Sequence, residues 1–175
     1  MNKLLRILKH RWRDRADTLR AVPDDMAARL AQRVAASELR HTGEVRLCVE
    51  AALPTSYLWR VQATMPLKAV VRQRALSWFG RLRVWDTEYN NGVLIYLLLA
   101  EHAIEFVADR ALSRRVSAAQ WQGIVDRLGA HLHEGAFEDG LTQALEEVSA
   151  LLVEHFPAEP GTQTANELPD AVVRV

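Results

Sequence analysis

The apolar run from Val93 to Ala100, read as VLIYLLLA, constrains the fold of this chain more than any other feature of the sequence. Every position of the run is apolar, so it lacks the alternation expected of a strand with one solvated face. Strands without alternation are buried on both faces, as at the centre of a sheet that helices cover on both sides. The run therefore predicts a central strand in an α/β fold.

The segments around this strand predict the remaining elements. Amphipathic patterns indicate four helices, which begin near Pro23, Pro66, Ser117 and Gly135. Residues 45–51 alternate as a strand does, and residues 103–109 follow the central strand closely enough to return as a hairpin. A strand–helix–strand crossover gives parallel pairing. We therefore expect a three-layer α/β/α sandwich with a small mixed sheet, a parallel crossover plus a hairpin, and an extra N-terminal helix.

Composition divides the chain into three regions. Residues 1–22 form a basic amphipathic helix, residues 23–156 form the α/β domain, and residues 157–175 contain prolines and a glycine and are expected to be a flexible tail. Residues 1–20 contain seven Lys and Arg residues and two Asp residues, so their formal charge is +5, although the whole chain has a formal charge of zero. This balance argues against a protein built to bind nucleic acid.

The basic N-terminal helix has two interpretations. Its apolar residues share one helical stripe, formed by Leu5, Leu8, Trp12, Ala16 and Leu19. Such a stripe surrounded by cations can lie on an anionic membrane surface or a protein partner, with Trp12 as the anchor. It can equally cover the core of its own domain while the cations stay in water.

The sequence also bears on the compartment. Charged residues interrupt the first 15 positions too often for a signal peptide. No apolar stretch approaches the roughly 20 residues that a membrane-spanning helix needs. We therefore expect a cytoplasmic protein, and attachment to the inner face of the membrane is left open as an alternative.

Several familiar catalytic arrangements are absent from the sequence. There is no Gly-x-Ser-x-Gly elbow and no Gly-rich phosphate loop, so neither a serine hydrolase nor an organic cofactor is expected. Cys48 is the only cysteine and lies within a predicted strand. His131 and His133 are two residues apart on a helix and point about 200° away from each other, so they cannot share one zinc ion.

The stretch DTEYNNG, directly before the central strand, contains the remaining candidate site. Asp86, Glu88 and Asn90 offer oxygen atoms at alternate positions, which suits Ca²⁺ or Mg²⁺. The stretch is not an EF-hand loop, because Asn91 occupies the position of the required Gly and Leu97 that of the bidentate Glu. The alternative is that Asn-Asn-Gly only forms the turn into the strand.

The predicted hairpin brings a second group of polar residues towards this turn. Asp109 and Arg110 end the strand that follows the central one, so they return to the end where the Asn pair lies. A second carboxylate at this point favours a cation site, whereas the two residues can equally form a structural ion pair. The predicted metal ligands are Asp86, Glu88, Asn90, Asn91 and Asp109.

Three segments carry a resemblance to a known family. NNGVLIYLLL, IEFVADRAL and GAFEDG, in this order, resemble the TPM domain, the "TPM phosphatase" family of thylakoid-lumen and bacterial proteins. The resemblance covers residues 24–156 and implies an α/β/α sandwich, a divalent-metal site in loops at one end of the sheet, and acid-phosphatase activity. Asn90, Asn91 and Gly92 match the family's turn. VADRAL replaces a Gly-Tyr-Gly-like turn of the family, which alters the loop that a ligand approaches.

Two functional hypotheses follow from these observations. The leading one is a TPM-like, non-enzymatic accessory or binding protein with a weak divalent-cation site and a membrane or partner contact through its N-terminal helix. The alternative is a metal-assisted phosphomonoesterase, in which Asp86 and Asp109 bind the metal and Arg110 clamps the phosphate.

Overall fold

The structure, a computed structural model, describes residues 3–159 and 166–175, and within them four strands form one mixed sheet. The strands are β1 (Val45–Glu50), β2 (Val93–Leu98), β3 (Ala103–Ala108) and β4 (Val173–Arg174). Their order is β3-β2-β1-β4; β1 is parallel to β2 and to β4, and β3 is antiparallel to β2. The predicted crossover and hairpin are therefore confirmed, and β2 lies inside the sheet.

Helices cover both faces of this sheet. They are α1 (Lys3–Arg11), α2 (Arg15–Ala21), α3 (Asp24–Glu38), α4 (Thr55–Leu58), α5 (Leu67–Arg81), α6 (Arg110–Ser113), α7 (Ala118–His133) and α8 (Phe137–His155). Leu47 and Ile95 belong to the face that packs against α3, α7 and α8. Leu94 and Tyr96 belong to the opposite face, which packs against α4 and α5. The expected α/β/α sandwich is confirmed.

The two parallel strands at the centre are buried on both faces. All six residues of β2 are buried, as the unbroken apolar run predicted. All six residues of β1 are buried as well, although Arg46 and Glu50 are charged. Because a buried charge is costly unless it is paired and hydrogen-bonded, the partners of Glu50 determine how the centre of the sheet is held.

The Glu50 carboxylate accepts hydrogen bonds from three side chains between α5 and the sheet. Arg74 donates from Nε at 2.9 Å and from Nη2 at 2.5 Å. Trp78 donates from Nε1 at 3.0 Å, and the hydroxyl of Tyr96 donates at 2.6 Å. Burial, together with the neighbouring carboxylate, raises the pKa of Tyr96, so its hydroxyl stays protonated. One carboxylate thus joins β1, β2 and α5.

The N-terminal region forms two helices instead of the single helix predicted over residues 1–22. Residues 12–14 separate α1 from α2. The side chain of Asp14 accepts a hydrogen bond from the Ala16 N–H at 2.8 Å, and the side chain of Asp17 accepts one from the Asp14 N–H at 3.0 Å. This capping box starts a new helix within the predicted one.

A flexible tail was expected over residues 157–175, but residues 166–175 lie against the sheet. Val173 and Arg174 pair with β1 as the short strand β4. The Glu44 carboxylate accepts hydrogen bonds from the backbone N–H groups of residues 167 and 168 at 3.1 and 3.2 Å. Backbone hydrogen bonds hold this segment in place, and amino-acid composition alone does not predict such bonds. Residues 1, 2 and 160–165 of the two predicted terminal regions lie outside the described residues.

Replacement of Arg74 by Met is expected to lower the free energy of unfolding by about 3–5 kcal/mol, because Glu50 would remain buried without a counter-charge. Urea unfolding followed by circular dichroism measures the loss. The double variant Glu50→Gln/Arg74→Met should regain part of it, because a neutral amide needs no cation.

Arg29 provides a matched control, because it forms an exposed ion pair with Glu138, with Nε and Oε1 2.7 Å apart. Arg29→Met should lower the free energy of unfolding far less than Arg74→Met does, because water screens an exposed ion pair. An equal loss of unfolding free energy in Arg74→Met and Arg29→Met would show that burial does not make the Glu50–Arg74 pair more important for stability.

Candidate functional site

The turn between α5 and β2 carries most of the residues predicted to bind a cation. It lies where β2 begins and, because the hairpin is antiparallel, beside the end of β3. Asn90 has a positive φ of 51°, a conformation that asparagine adopts more readily than most residues. Its carbonyl oxygen accepts a hydrogen bond from the Ala111 N–H at 3.0 Å, which joins the turn to α6.

Asn91 and Gly92 fix this turn within the fold. Asn91 is fully buried; its Nδ2 donates to Thr42 Oγ1 at 3.1 Å, and its backbone N–H donates to Thr87 Oγ1 at 3.2 Å. Gly92 lies so close to the preceding chain that a Cβ atom would be 2.1 Å from the carbonyl oxygen of Val84. The turn itself therefore requires Asn-Asn-Gly, whether or not an ion binds.

Three of the predicted site residues meet at the end of the sheet. Asn90 Oδ1 accepts hydrogen bonds from Arg110 Nε at 3.2 Å and Nη2 at 3.0 Å, so the predicted approach of the β3 end to the Asn pair is confirmed. Asp109 Oδ1 accepts the Arg110 N–H at 2.7 Å. The other oxygen, Asp109 Oδ2, is buried and has no hydrogen-bond partner among the described residues.

The other predicted ligands point elsewhere. Asp86 forms an ion pair with Arg83. Glu88 is exposed, and its backbone N–H donates to the carboxylate of Glu167 at 3.1 Å. Asn91 faces Thr42, as described above. Across residues 3–159 and 166–175, no three His, Cys, Asp or Glu side chains are grouped as metal ligands. The divalent-cation site remains a prediction.

Two threonines that hold Asn91 were not predicted from the sequence. Thr87 lies inside the DTEYNNG stretch, four residues before Asn91, and a hydroxyl at this distance from a tight turn is a usable signal for side-chain-to-backbone bonding. Thr42 comes from the loop between α3 and β1, far away in sequence. No local pattern connects it with the turn.

The predicted apolar stripe of the N-terminal region faces away from the core. Leu5, Leu8 and Trp12 are 59%, 51% and 84% exposed. Their spacing places them on one side of α1, and the Trp12 N–H donates to the Leu8 carbonyl oxygen at 3.2 Å, which continues the last turn. The stripe itself therefore does not cover the core, although α1 docks on its own domain through another side, where Ile7 packs against the core.

Polar residues attach α1 to the domain together with Ile7. His10 is buried, and its Nδ1 accepts the backbone N–H of Leu53 at 2.9 Å. Its Nε2 lies 2.7 Å from Glu101 Oε1. Because Nδ1 is an acceptor, Nε2 carries the proton and donates it to the carboxylate. These two bonds fasten α1 while the row of Leu5, Leu8 and Trp12 stays in solvent.

The Gly92→Ala variant is expected to be less stable by about 3 kcal/mol or more, because the added methyl group meets a backbone oxygen that cannot move without breaking the turn. Gly80→Ala is the matched control: a Cβ atom there has no neighbour within 4 Å. That variant should be unchanged or up to about 1 kcal/mol more stable. Thermal and urea unfolding compare the two; a Gly92→Ala protein as stable as the control would contradict the steric account.

Comparisons with known proteins agree with this architecture. A search of solved structures finds the NMR structure of the BA42 protein from the psychrophilic bacterium Bizionia argentinensis, with a TM-score of 0.71 and 21% sequence identity over 87% of this chain and 94% of that chain. At this identity the likeness shows the fold alone. A comparison with curated proteins finds no match. The sequence profile of the TPM domain matches residues 13–151, which is more than half of the chain. The chain therefore belongs to the TPM domain family.

Proposed function

We propose that this TPM-domain protein is a non-enzymatic accessory module that attaches to an anionic membrane surface through α1. The observation that carries the proposal is the exposed row of Leu5, Leu8 and Trp12 on a helix already fastened to the domain. Isolated exposed apolar residues are common, but three on one side of one basic helix form a surface suited to the boundary between lipid headgroups and acyl chains.

The charge of the helix supports the same assignment. Lys9 and Arg11 lie in its last turn, and Arg15 begins α2. Arg11 and Arg15 are exposed. Each cation close to an anionic leaflet contributes about 1 kcal/mol to membrane binding. A tryptophan next to these cations is the residue type that prefers the headgroup level of a bilayer.

The attachment of α1 determines how the domain would meet the membrane. His10 and Glu101 hold the helix against the body of the protein, so its apolar side is exposed without any unfolding or release step. The helix would lie in the plane of the surface. In the part of the chain that the structure describes, no helix is long and apolar enough to cross a bilayer.

Co-sedimentation with vesicles tests the proposal. Vesicles that contain phosphatidylglycerol should bind the protein, and those of pure phosphatidylcholine should bind it weakly. The triple variant Leu5→Ser/Leu8→Ser/Trp12→Ser should lose affinity on the order of 100-fold, at about 1 kcal/mol for each apolar side chain. The fold should be unaffected, because these side chains are already exposed.

Leu39→Ser is the control, because Leu39 is 78% exposed beyond the end of α3. It should sediment as the unchanged protein does, and binding should fall as salt is raised. If the triple variant binds as well as the control, or if vesicles containing phosphatidylglycerol bind nothing at low salt, the membrane proposal fails. In the second case a protein partner becomes the better assignment for this surface.

A divalent-cation site at the end of β3 is a second candidate function. The unpartnered Oδ2 of Asp109, with Asn90 beside it, supports this candidate, because a buried carboxylate oxygen without a donor can bind a cation. Arg110 opposes it by occupying Asn90 Oδ1 and by adding positive charge. The cation would therefore bind weakly, and the phosphatase alternative depends on the same ion.

Thermal unfolding with Ca²⁺ or Mg²⁺ tests whether Asp109 binds a cation and whether Arg110 weakens that binding. Arg110→Ala should lower the apparent Kd of the cation about tenfold, because it frees Asn90 Oδ1 and removes a positive charge beside the site. Asp109→Asn should abolish the stabilisation, although its remaining oxygen can still cap α6. A cation-induced shift of equal size in Asp109→Asn would exclude Asp109 as a ligand.

A further inference from the structure

A cavity of about 650 Å³ lies at the end of β2 opposite the Asn90 turn. Its walls come from α2, from the end of β2 and the start of β3, and from the facing ends of α7 and α8. The volume falls within the range of 300–1,000 Å³ typical of small-molecule sites. The position outside the carboxyl ends of parallel strands is also where α/β sheets commonly bind ligands.

The interior of the cavity is aliphatic. Leu97, Leu99, Ile104 and Leu132 line it, and Phe137 adds one aromatic ring. Gly129 of α7 leaves one wall without a side chain: a Cβ atom there would have only Ile104 Cδ1 within 4 Å, at 3.7 Å. A ligand that fills this space therefore needs an apolar surface.

Two histidines, His102 and His133, also line the cavity, and its charged residues lie on α2 and just before it. Arg13 and Arg20 share one carboxylate, that of Asp17. Asp17 Oδ1 accepts from Arg20 Nη2 at 2.9 Å and lies 3.8 Å from Arg13 Nη1, while Oδ2 is taken by the Asp14 N–H in the capping box. Of the described residues that line the cavity, Asp17 alone carries a carboxylate. One positive charge is therefore left without a counter-ion.

We infer that this cavity binds a single-chain anionic amphiphile, whose hydrocarbon chain occupies the aliphatic interior and whose anionic end lies beside Arg13 and Arg20. Arginine recognises carboxylate and phosphate with paired hydrogen bonds, and the surplus positive charge is complementary to a monoanion. A neutral hydrocarbon would leave that positive charge without a counter-ion. A small polar metabolite would leave the aliphatic side chains in contact with water. The ligand is either a free fatty acid or a lipid with one acyl chain.

Isothermal titration calorimetry with octanoate, decanoate and dodecanoate tests the inference. Each added methylene that becomes buried should lower Kd about fourfold, so each step in the series should lower it about fifteenfold. Dodecyltrimethylammonium, which has the same chain but a positive end, should bind at least tenfold more weakly than dodecanoate. Equal affinity for the two twelve-carbon amphiphiles, or no heat with any fatty acid, would overturn the inference.

Two sets of variants locate the site. Gly129→Leu fills the wall of the cavity and replaces glycine in a helix by a better helix former, so it should fold normally and lose dodecanoate binding. Gly123→Leu, on the same helix, is the control, because a Cβ atom there meets only the flexible guanidinium of Arg127. Arg13→Gln/Arg20→Gln should weaken dodecanoate at least tenfold while leaving the fold intact. Unchanged binding in Gly129→Leu or in the arginine variant would refute the assignment.

Lysophosphatidylglycerol separates the two sources of the ligand. Tighter binding of this lipid than of dodecanoate identifies a single-chain phospholipid, the reverse identifies a free fatty acid, and both outcomes should disappear in Gly129→Leu. This inference is independent of membrane attachment through α1. Gly129→Leu should sediment with vesicles as the unchanged protein does, whereas the triple variant of α1 should keep its affinity for dodecanoate.

Discussion

The buried carboxylate of Glu50 is the interaction on which the centre of this fold depends. It lies at the end of β1, where an apolar residue would have been the simpler solution, and it is tolerated only because Arg74, Trp78 and Tyr96 all donate to it. Apolar contacts between α5 and the sheet are non-directional, whereas this set of donors has one geometry. The carboxylate thus fixes the rotation and position of α5 over the sheet. The position of α5 in turn determines where the turn between α5 and β2 begins.

The two ends of β2 have opposite characters, and each follows from local packing. Where β2 begins, Gly92 touches the preceding chain and Asn91 is buried among hydroxyl groups, so most polar atoms already have partners. Where β2 ends, Gly129 leaves space beside an aliphatic wall. The first end therefore serves mainly to shape the fold, while the second has room for a molecule. The polar turn that is visible in the sequence and the cavity beside Gly129 lie at different ends of the same strand.

The sequence predicted the parts of the fold that depend on local patterns. The buried strand predicted from the apolar run and the helix predicted to begin near Ser117 are both present in the structure, as β2 and α7. The break before α2 was not predicted, because the apolar stripe continues across it and indicates one helix. The capping-box spacing of Asp14 and Asp17 is the local signal for the break. The cavity was not predictable, because its walls come from segments as distant as Arg13 and Phe137. Only the tertiary fold brings them together.

The pairing of β4 with β1 has a consequence for how the chain folds during synthesis. β1 emerges early, and β2 and β3 complete most of the sheet, but within residues 3–159 and 166–175 the second neighbour of β1 is the later segment Val173–Arg174. Until those residues are made, β1 exposes a row of unpaired N–H and C=O groups on its outer edge. Such an edge can recruit a strand from another molecule. A segment made after β1, β2 and β3 thus protects β1 from intermolecular association.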